Sequence, residues 1–340
     1  MDSRKDIRYK EEIKSLWKQC FDDSDEFVNF YFDERYSDKI NMAIVEDGQI
    51  IAALQMIPYE MTCCNTLIST SYISGACTNP LYRNHGYMRK LLADTHRRMW
   101  SDGVLLSTLI PANAPLIKYY EKAGYNSCFG YIAQEIEKKE LEYNLTFEES
   151  KGSSDSIFKY FDRKMKERPC CIQHSKEDFI LIMADIRLSG GSVIIAKDND
   201  DIKGLAFCVI NDDKLFIKDI LADNNHVESL LLNKSLDFFR KDKLIYLIPS
   251  SSNTLYKGMA RAIHLDRLLT VFANHHSSVE FDVYIEGDDD IPENNGYYSI
   301  RNGICSKGET EGTRYRKYHI KDFVRLLLEM EHPYMSLMLD

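Results

Sequence analysis

The strongest chemical signal lies in Asn79-Pro80-Leu81-Tyr82-Arg83-Asn84-His85-Gly86-Tyr87-Met88. A strand-like apolar run precedes this segment and a helical pattern follows it. A loop in that setting gathers free backbone N–H groups at the positive end of the helix dipole. Such a point suits a pyrophosphate. Gly86 lets the backbone approach an anion closely, and Arg83 adds a fixed positive charge. Downstream stands a second group, Asn113 followed by Tyr119-Tyr120-Glu121-Lys122-Ala123-Gly124-Tyr125. Other chemistries lack their signals. There is no Gly-x-Ser-x-Gly elbow and no Walker loop. Neither Cys-x-x-Cys nor any zinc-ligand spacing occurs, and His275-His276 lacks metal spacing, so no metal is expected. Asp288-Asp289-Asp290 has too few spaced ligands for calcium and reads as a solvated loop. His96 falls on the long helix and is expected to be partly exposed.

The elements that must position these residues follow from periodicity. Helices are expected over residues 6–20 and 25–32. Apolar runs at 41–46 and 50–57 flank Asp47-Gly48, a hairpin signal. Another strand is read at 70–78. The helix over 87–99 puts Met88, Leu91, Leu92, Thr95 and Met99 on one face. Residues 104–110 read as a buried strand, and a short helix ends near Gly124, a suitable C-cap. The polar run 148–155 reads as a linker. Beyond it the pattern returns, with strands at 193–196, 204–210 and 215–221, a helix over 227–239 and a strand at 244–248. Leu247-Ile248-Pro249 echoes Leu109-Ile110-Pro111, and Asn253 and Tyr256 echo Asn113 and Tyr120, which suggests an internal repeat. A third segment offers a helix at 262–272, strands at 279–285 and 296–300, and a helix at 320–330. Its apolar end should dock rather than dangle in water.

At 340 residues the chain suggests two or three domains. A net charge of −10 disfavours general nucleic-acid binding. The acidity either favours a cationic small substrate, such as a polyamine or amino sugar, or only aids solubility. Nine cysteines with no framework spacing point to reduced thiols in a cytoplasm. No signal peptide and no membrane span is read.

Arg83-x-x-Gly86, preceded by Asn79-Pro80 and followed by an amphipathic helix, resembles the coenzyme A loop of GNAT acetyltransferases. Asn113 with Tyr120-Glu121-x-x-Gly124-Tyr125 is similar to that superfamily's second signature. Met88 departs from the usual Gly or Ala, but a bulkier residue also occurs in the Eis-like branch. The order of the three segments resembles Eis-type enzymes. The resemblance implies an α+β fold, with two GNAT-type mixed-sheet domains in tandem and a small sterol-carrier-like α/β domain. It implies a catalytic domain at 1–147, a degenerate one at 148–258 and the sterol-carrier-like one at 259–340. The degenerate repeat has Leu221-Ala-Asp-Asn-Asn-His226 in place of the loop, and Asp223 would repel phosphate.

The implied activity is acetyl transfer from acetyl-CoA to a primary amine of a cationic small molecule or a lysine side chain. Ala76, Cys77, Thr78, Arg83, Asn84, His85, Gly86, Tyr87, Met88 and Asn113 would bind the cosubstrate in a notch between diverging strands. Tyr120 aligns with the family's general acid, with Tyr119 as fallback. The terminal carboxylate of Asp340 is the implied base, against a water chain ending on another carboxylate. Homo-oligomerisation is implied too. Two rival readings stand beside this one: a catalytically silent GNAT-fold ligand sensor, and a transferase using a larger acyl donor.

Overall fold

The computed structural model describes residues 3–150, 152–250, 255–309 and 313–339. The chain forms two compact units, one from residues 1–128 and 257–331 and one from residues 129–256 and 332–340.

The first unit opens with α1 (Ser3–Cys20), α2 (Asp25–Glu34), β1 (Asn41–Glu46), β2 (Gln49–Cys63) and β3 (Thr66–Thr78). It continues with α3 (Tyr87–Ser101), β4 (Leu106–Leu109) and α4 (Ala114–Glu121). Asp47 and Gly48 both take positive φ, as a two-residue hairpin turn requires, so the Asp-Gly signal is met. Cys64 and Asn65 do the same between β2 and β3. That turn lacks glycine, so the sequence reading stopped these strands short. α3 buries Leu91, Leu92, Thr95, His96 and Met99 on one face. Each apolar side chain buried there stabilises by about 1.5–3 kcal/mol.

Two departures from regular pairing shape this sheet. β3 and β4 run parallel but pair only from Thr70–Leu106 to Tyr72–Thr108. Past that point β3 continues to Thr78 while β4 ends at Leu109, which leaves a notch. β3 also carries an extra residue, because pairing with β2 jumps from Ala53–Cys77 to Gln55–Ser74. Gly75, at φ 60°, sits in this bulge.

β5 (Asn126–Glu137) leads into the second unit, followed by β6 (Thr146–Ser150), α5 (Asp155–Lys166), β7 (Cys171–Gln173) and α6 (Lys176–Leu188). Then come β8 (Ser192–Asp198), β9 (Asp201–Asn211), β10 (Lys214–Ala222), α7 (Asn225–Phe239) and β11 (Lys243–Pro249). β8, β9 and β10 pair antiparallel and β10 pairs parallel with β11, which repeats the order of β1 to β4. The internal repeat is therefore real at the level of the fold. The linker at 148–155 is not: residues 148–150 belong to β6, an edge strand that pairs with β8. Its polar sequence reflects a mostly exposed edge. The segment 332–339 docks as expected, with Tyr334 N donating to Cys170 O at 2.7 Å and Tyr334, Met335, Leu337, Met338 and Leu339 buried.

Strands are exchanged between the repeats. β5 follows α4 in the chain, yet its residues 131–137 pair with β11. β12 (Leu255–Ala262) follows β11, yet Met259–Ala262 pairs with Leu106–Leu109 of β4. Two expectations fail here. Residue 262 ends a strand instead of starting a helix, and Tyr256 lies in β12, whereas Tyr120 lies in a helix. Asn253 lies outside the described residues. After β12, α8 (Leu265–His275) and α9 (Ile320–Glu329) accompany β13 (Phe281–Glu286), β14 (Gly296–Arg301), β15 (Ile304–Lys307) and β16 (Arg316–His319). These four strands form a second sheet in the order β15-β14-β13-β16.

Candidate active site

A cavity of about 510 Å3 lies where β3 and β4 part. Ala76, Cys77 and Thr78 from the end of β3 line one side. Asn113 and Tyr120 line another, with Leu116 and Tyr119 beside them. Arg83, Asn84, Gly86, Tyr87 and Met88 contribute from the loop before α3. Residues 76 to 120 thus converge from three elements. His85 is exposed and is not among the lining residues; its Nδ1 lies 2.8 Å from Arg83 O.

The loop holds its shape through local bonds. The Asn79 side chain accepts from Leu81 N at 3.0 Å, and Pro80 opens a short 3-10 turn. Arg83 Nε donates to Thr78 O at 3.3 Å, which ties the loop to the strand end. Asn84 and Gly86 take positive φ, 66° and 83°. A Cβ at Gly86 would meet no atom within 4 Å, and no side chain caps α3. Open space above an uncapped helix start fits a phosphate group. The second repeat contrasts with this. There the Asn224 side chain accepts from His226 N and Val227 N, each at 3.0 Å, so α7 supplies its own cap. Asp223 accepts from Tyr160 Oη at 3.0 Å.

Tyr120 is 7% exposed, and burial pushes its phenol up to about 12, with Tyr119 and Cys77 adding to the rise. It therefore keeps its proton at neutral pH. Tyr119 is half-buried, and burial raises its phenol as well. Asn113 is the N-cap of α4 and accepts from Leu116 N at 3.3 Å. Among the described residues, no carboxylate or imidazole lines the cavity. Asp340 lies outside the described residues.

Sequence reading missed Cys20 and Arg89, both of which line the cavity. Cys20 Sγ lies 3.3 Å from Thr78 O. A hydrogen bond with Cys77 holds the Cys20 thiol below its ordinary range, and Arg83 lowers it further. Arg89 makes a fork to Asp290, with Nη2–Oδ1 at 2.6 Å and Nη1–Oδ2 at 3.0 Å.

Behind the cavity that same carboxylate meets His96, which corrects two expectations. His96 is fully buried, and Asp288 and Asp290 are 1% and 7% exposed rather than solvated. His96 Nδ1 lies 2.8 Å from Asp290 Oδ2, and its Nε2 lies 3.0 Å from Tyr125 Oη. Because a carboxylate only accepts, Nδ1 carries the proton, and Tyr125 donates to Nε2. Ser107 Oγ lies 2.7 Å from Tyr125 Oη, so the chain reaches β4. Burial pushes the His96 imidazole down to about 4, and Arg261 adds to the fall. Arg261, 1% exposed, donates to Ala123 O at 2.8 Å and pairs with Asp288. A Cβ on Gly124 would stand 1.9 Å from Arg261 Nη1, so the signature glycine makes room for this arginine.

Residues 6–128 match the family model of an acetyltransferase (GNAT) domain. A GCN5-related N-acetyltransferase from Anabaena variabilis ATCC 29413 superposes with a TM-score of 0.75 at 16% identity, over 98% of this chain and 97% of its own. A probable N-acyltransferase from Enterococcus faecalis V583 gives 0.75 at 16% identity, over 94% and 87%. Eis1 from Mycobacterium abscessus gives 0.73 at 10% identity, over 94% and 87%. No curated protein matches the chain in sequence. The tandem GNAT-like fold therefore extends over nearly the whole chain, and the part that matches an acetyltransferase domain is its first third. Acyl transfer is the chemistry of such a domain, with acetyl-CoA as its general cosubstrate. No helix among the described residues is long and apolar enough to cross a membrane.

Proposed function

We propose that the protein is an acetyl-CoA-dependent N-acetyltransferase that moves the acetyl group directly to a primary amine. The acceptor is a cationic small molecule or a lysine side chain. The observation that carries this reading is one cavity lined together by residues 76–78, Arg83, Asn84, Gly86, Tyr87 and Met88 of the loop, and Tyr120. Amides at the start of α3, with Arg83, Asn84, His85, Gly86, Tyr87 and Met88 around them, hold the pyrophosphate. Backbone N–H groups of Ala76, Cys77 and Thr78 hold the pantetheine arm and polarise the thioester carbonyl. Asn113 steadies the far wall. A neutral amine forms the C–N bond as the C–S bond breaks, and the Tyr120 hydroxyl protonates the departing sulfur. The amine's proton leaves through the Asp340 carboxylates. The lack of any carboxylate or imidazole among the described lining residues supports a base drawn from elsewhere in the chain.

The net charge of −10 supports a cationic acceptor and argues against nucleic acid as a partner. The same reading divides the chain by fold into 1–147 (catalytic), 148–258 (degenerate) and 259–340 (sterol-carrier-like). It also sets the protein in the cytoplasm, as a homo-oligomer, with no metal in the acetyl transfer itself.

The test is thiol release from acetyl-CoA across polyamines, aminoglycosides, amino acids and lysine peptides. Turnover with a cationic amine is expected. Tyr120→Phe should lower kcat by about 10²- to 10⁴-fold with KM for acetyl-CoA little changed. Removing Asp340 should lower kcat in the same manner. Binding of acetyl-CoA without turnover on this panel would leave an acceptor outside the panel and a ligand sensor both open. Tighter binding of longer acyl-CoAs would overturn the choice of donor, and no binding at all would overturn the reading of the loop.

A further inference from the structure

The turn between β2 and β3 carries a residue its backbone does not favour. Cys64 and Asn65 have φ of 50° and 56°, where Asn-Gly is the ordinary choice. Asparagine tolerates the left-handed region; cysteine seldom occupies it. The thiol held in this way is 6% exposed. Two more segments of the same unit converge on it. His276 follows α8 and Glu331 follows α9. One ligand atom from each of Cys64, His276 and Glu331 lies within 4.8 Å of the other two. Glu331 is itself 6% exposed, and its carboxylate pairs with His276 Nε2.

A thiol, an imidazole and a carboxylate at one point invite two chemistries. A nucleophilic thiol would need a depressed pKa and an imidazole free to take its proton. Here the Cys64 thiol is buried away from any substrate, and His276 Nε2 is already engaged by Glu331. Metal binding suits the set better. Mixed S, N and O donors select zinc and its relatives, whereas magnesium and calcium take oxygen.

We propose that Cys64, His276 and Glu331 bind a zinc-class divalent ion, apart from the acetyl-transfer cavity. The Cys64 thiol loses its proton to solvent as the sulfur–metal bond forms, and the ion takes over the charge of the buried Glu331 carboxylate. Tetrahedral zinc sets its ligand atoms about 3.3–3.8 Å apart, so the His276–Glu331 pair, now in direct contact, parts by side-chain rotation as the ion enters between them. Cys63 Sγ stands 3.8 Å from Cys64 Sγ. The His276 side chain is 26% exposed, which gives the ion an entry path. The ion would pin the hairpin turn to the ends of α8 and α9. Positions 64, 276 and 331 share no sequence spacing, which is why the sequence reading expected no metal.

The full reduced chain, stripped with a chelator, is titrated with Co2+ and then with Zn2+. The expected result is one ion per chain, cobalt d–d bands with a thiolate charge-transfer band, and displacement of both by zinc. Cys64→Ser should abolish the charge-transfer band. His276→Gln and Glu331→Gln should each weaken zinc, read against a chromophoric chelator, by about 100-fold or more, beyond what outer partners alone cost. Zinc should raise Tm in the wild type only. Because Cys64→Ser could disturb the turn, the partly exposed His276→Gln, checked for folding by circular dichroism, is decisive. Unchanged zinc affinity in that variant, or no charge-transfer band in the wild type, would overturn the proposal.

Discussion

Cys20 stands on the wall of the cavity, its thiol lowered first by Cys77 and then by Arg83, while the Cys77 thiol is pushed the other way. A lowered thiol holds more thiolate at neutral pH and reacts faster. Iodoacetamide should therefore modify Cys20 ahead of every other cysteine, and acetyl-CoA should slow that step; peptide mass spectrometry reads both. Equal rates with and without acetyl-CoA would remove Cys20 from the cosubstrate's path. His96 titrates in another sense. Burial and Arg261 bring it from 6.5 to about 4, with Asp290, Arg89 and Tyr125 around it. The fold prefers its neutral form, so this stability is present above pH 6.5 and is lost as pH falls through about 4. The loss amounts to something on the order of 3 kcal/mol. Thermal melts from pH 8 to 4 should show that decline, and His96→Gln should flatten it. Such residues mark the limit of sequence reading. Arg83, Gly86 and Tyr120 sit in short contiguous motifs and were legible. His96 and Asp290 are 194 positions apart, and nothing local in either announces the contact.

At the scale of elements, the cavity depends on how β3 bends. Gly75 takes φ 60°, and a Cβ there would stand 2.1 Å from the Trp17 ring. Trp17 cannot easily retreat, because it is 6% exposed, packs on Tyr31 and Phe32, and donates to Asp23 Oδ2 at 2.7 Å. Gly75→Ala should cost roughly 1–3 kcal/mol from the backbone alone, plus the clash with the ring. It should also weaken acetyl-CoA binding, since Ala76, Cys77 and Thr78 follow directly. Denaturant melts and binding isotherms on one preparation check both; a stable variant with altered binding would mean that the ring yields and only the strand end moves. Elements with strong periodicity were read correctly, α3 above all. The bulge was not, because Ser74-Gly75-Ala76 reads as an ordinary stretch of strand. β6 was lost for the opposite reason: an edge strand with exposed polar side chains has the composition of a linker.

The exchange of β5 and β12 belongs to the whole molecule, and no local pattern could show it. Periodicity reports that a strand exists; its partner depends on where the chain returns. Order alone would close the first repeat at residue 147, yet every residue of β4 is buried and its outer neighbour is Met259–Ala262 of β12. β12 also delivers Arg261, which satisfies Ala123 O beside Gly124 and pairs with Asp288. A fragment of residues 1–147 would thus expose the ladder groups of β4 and leave a space where the arginine lay. It should aggregate or melt without cooperativity, and it should bind acetyl-CoA poorly although it holds every residue assigned to that cavity. Co-expression with residues 148–340 should restore both folding and binding, because the missing strand is supplied in trans. Calorimetry on the fragment and on the recombined pair decides the matter. A fragment that melts cooperatively and binds like the full chain would mean that β12 merely covers a repeat able to stand alone.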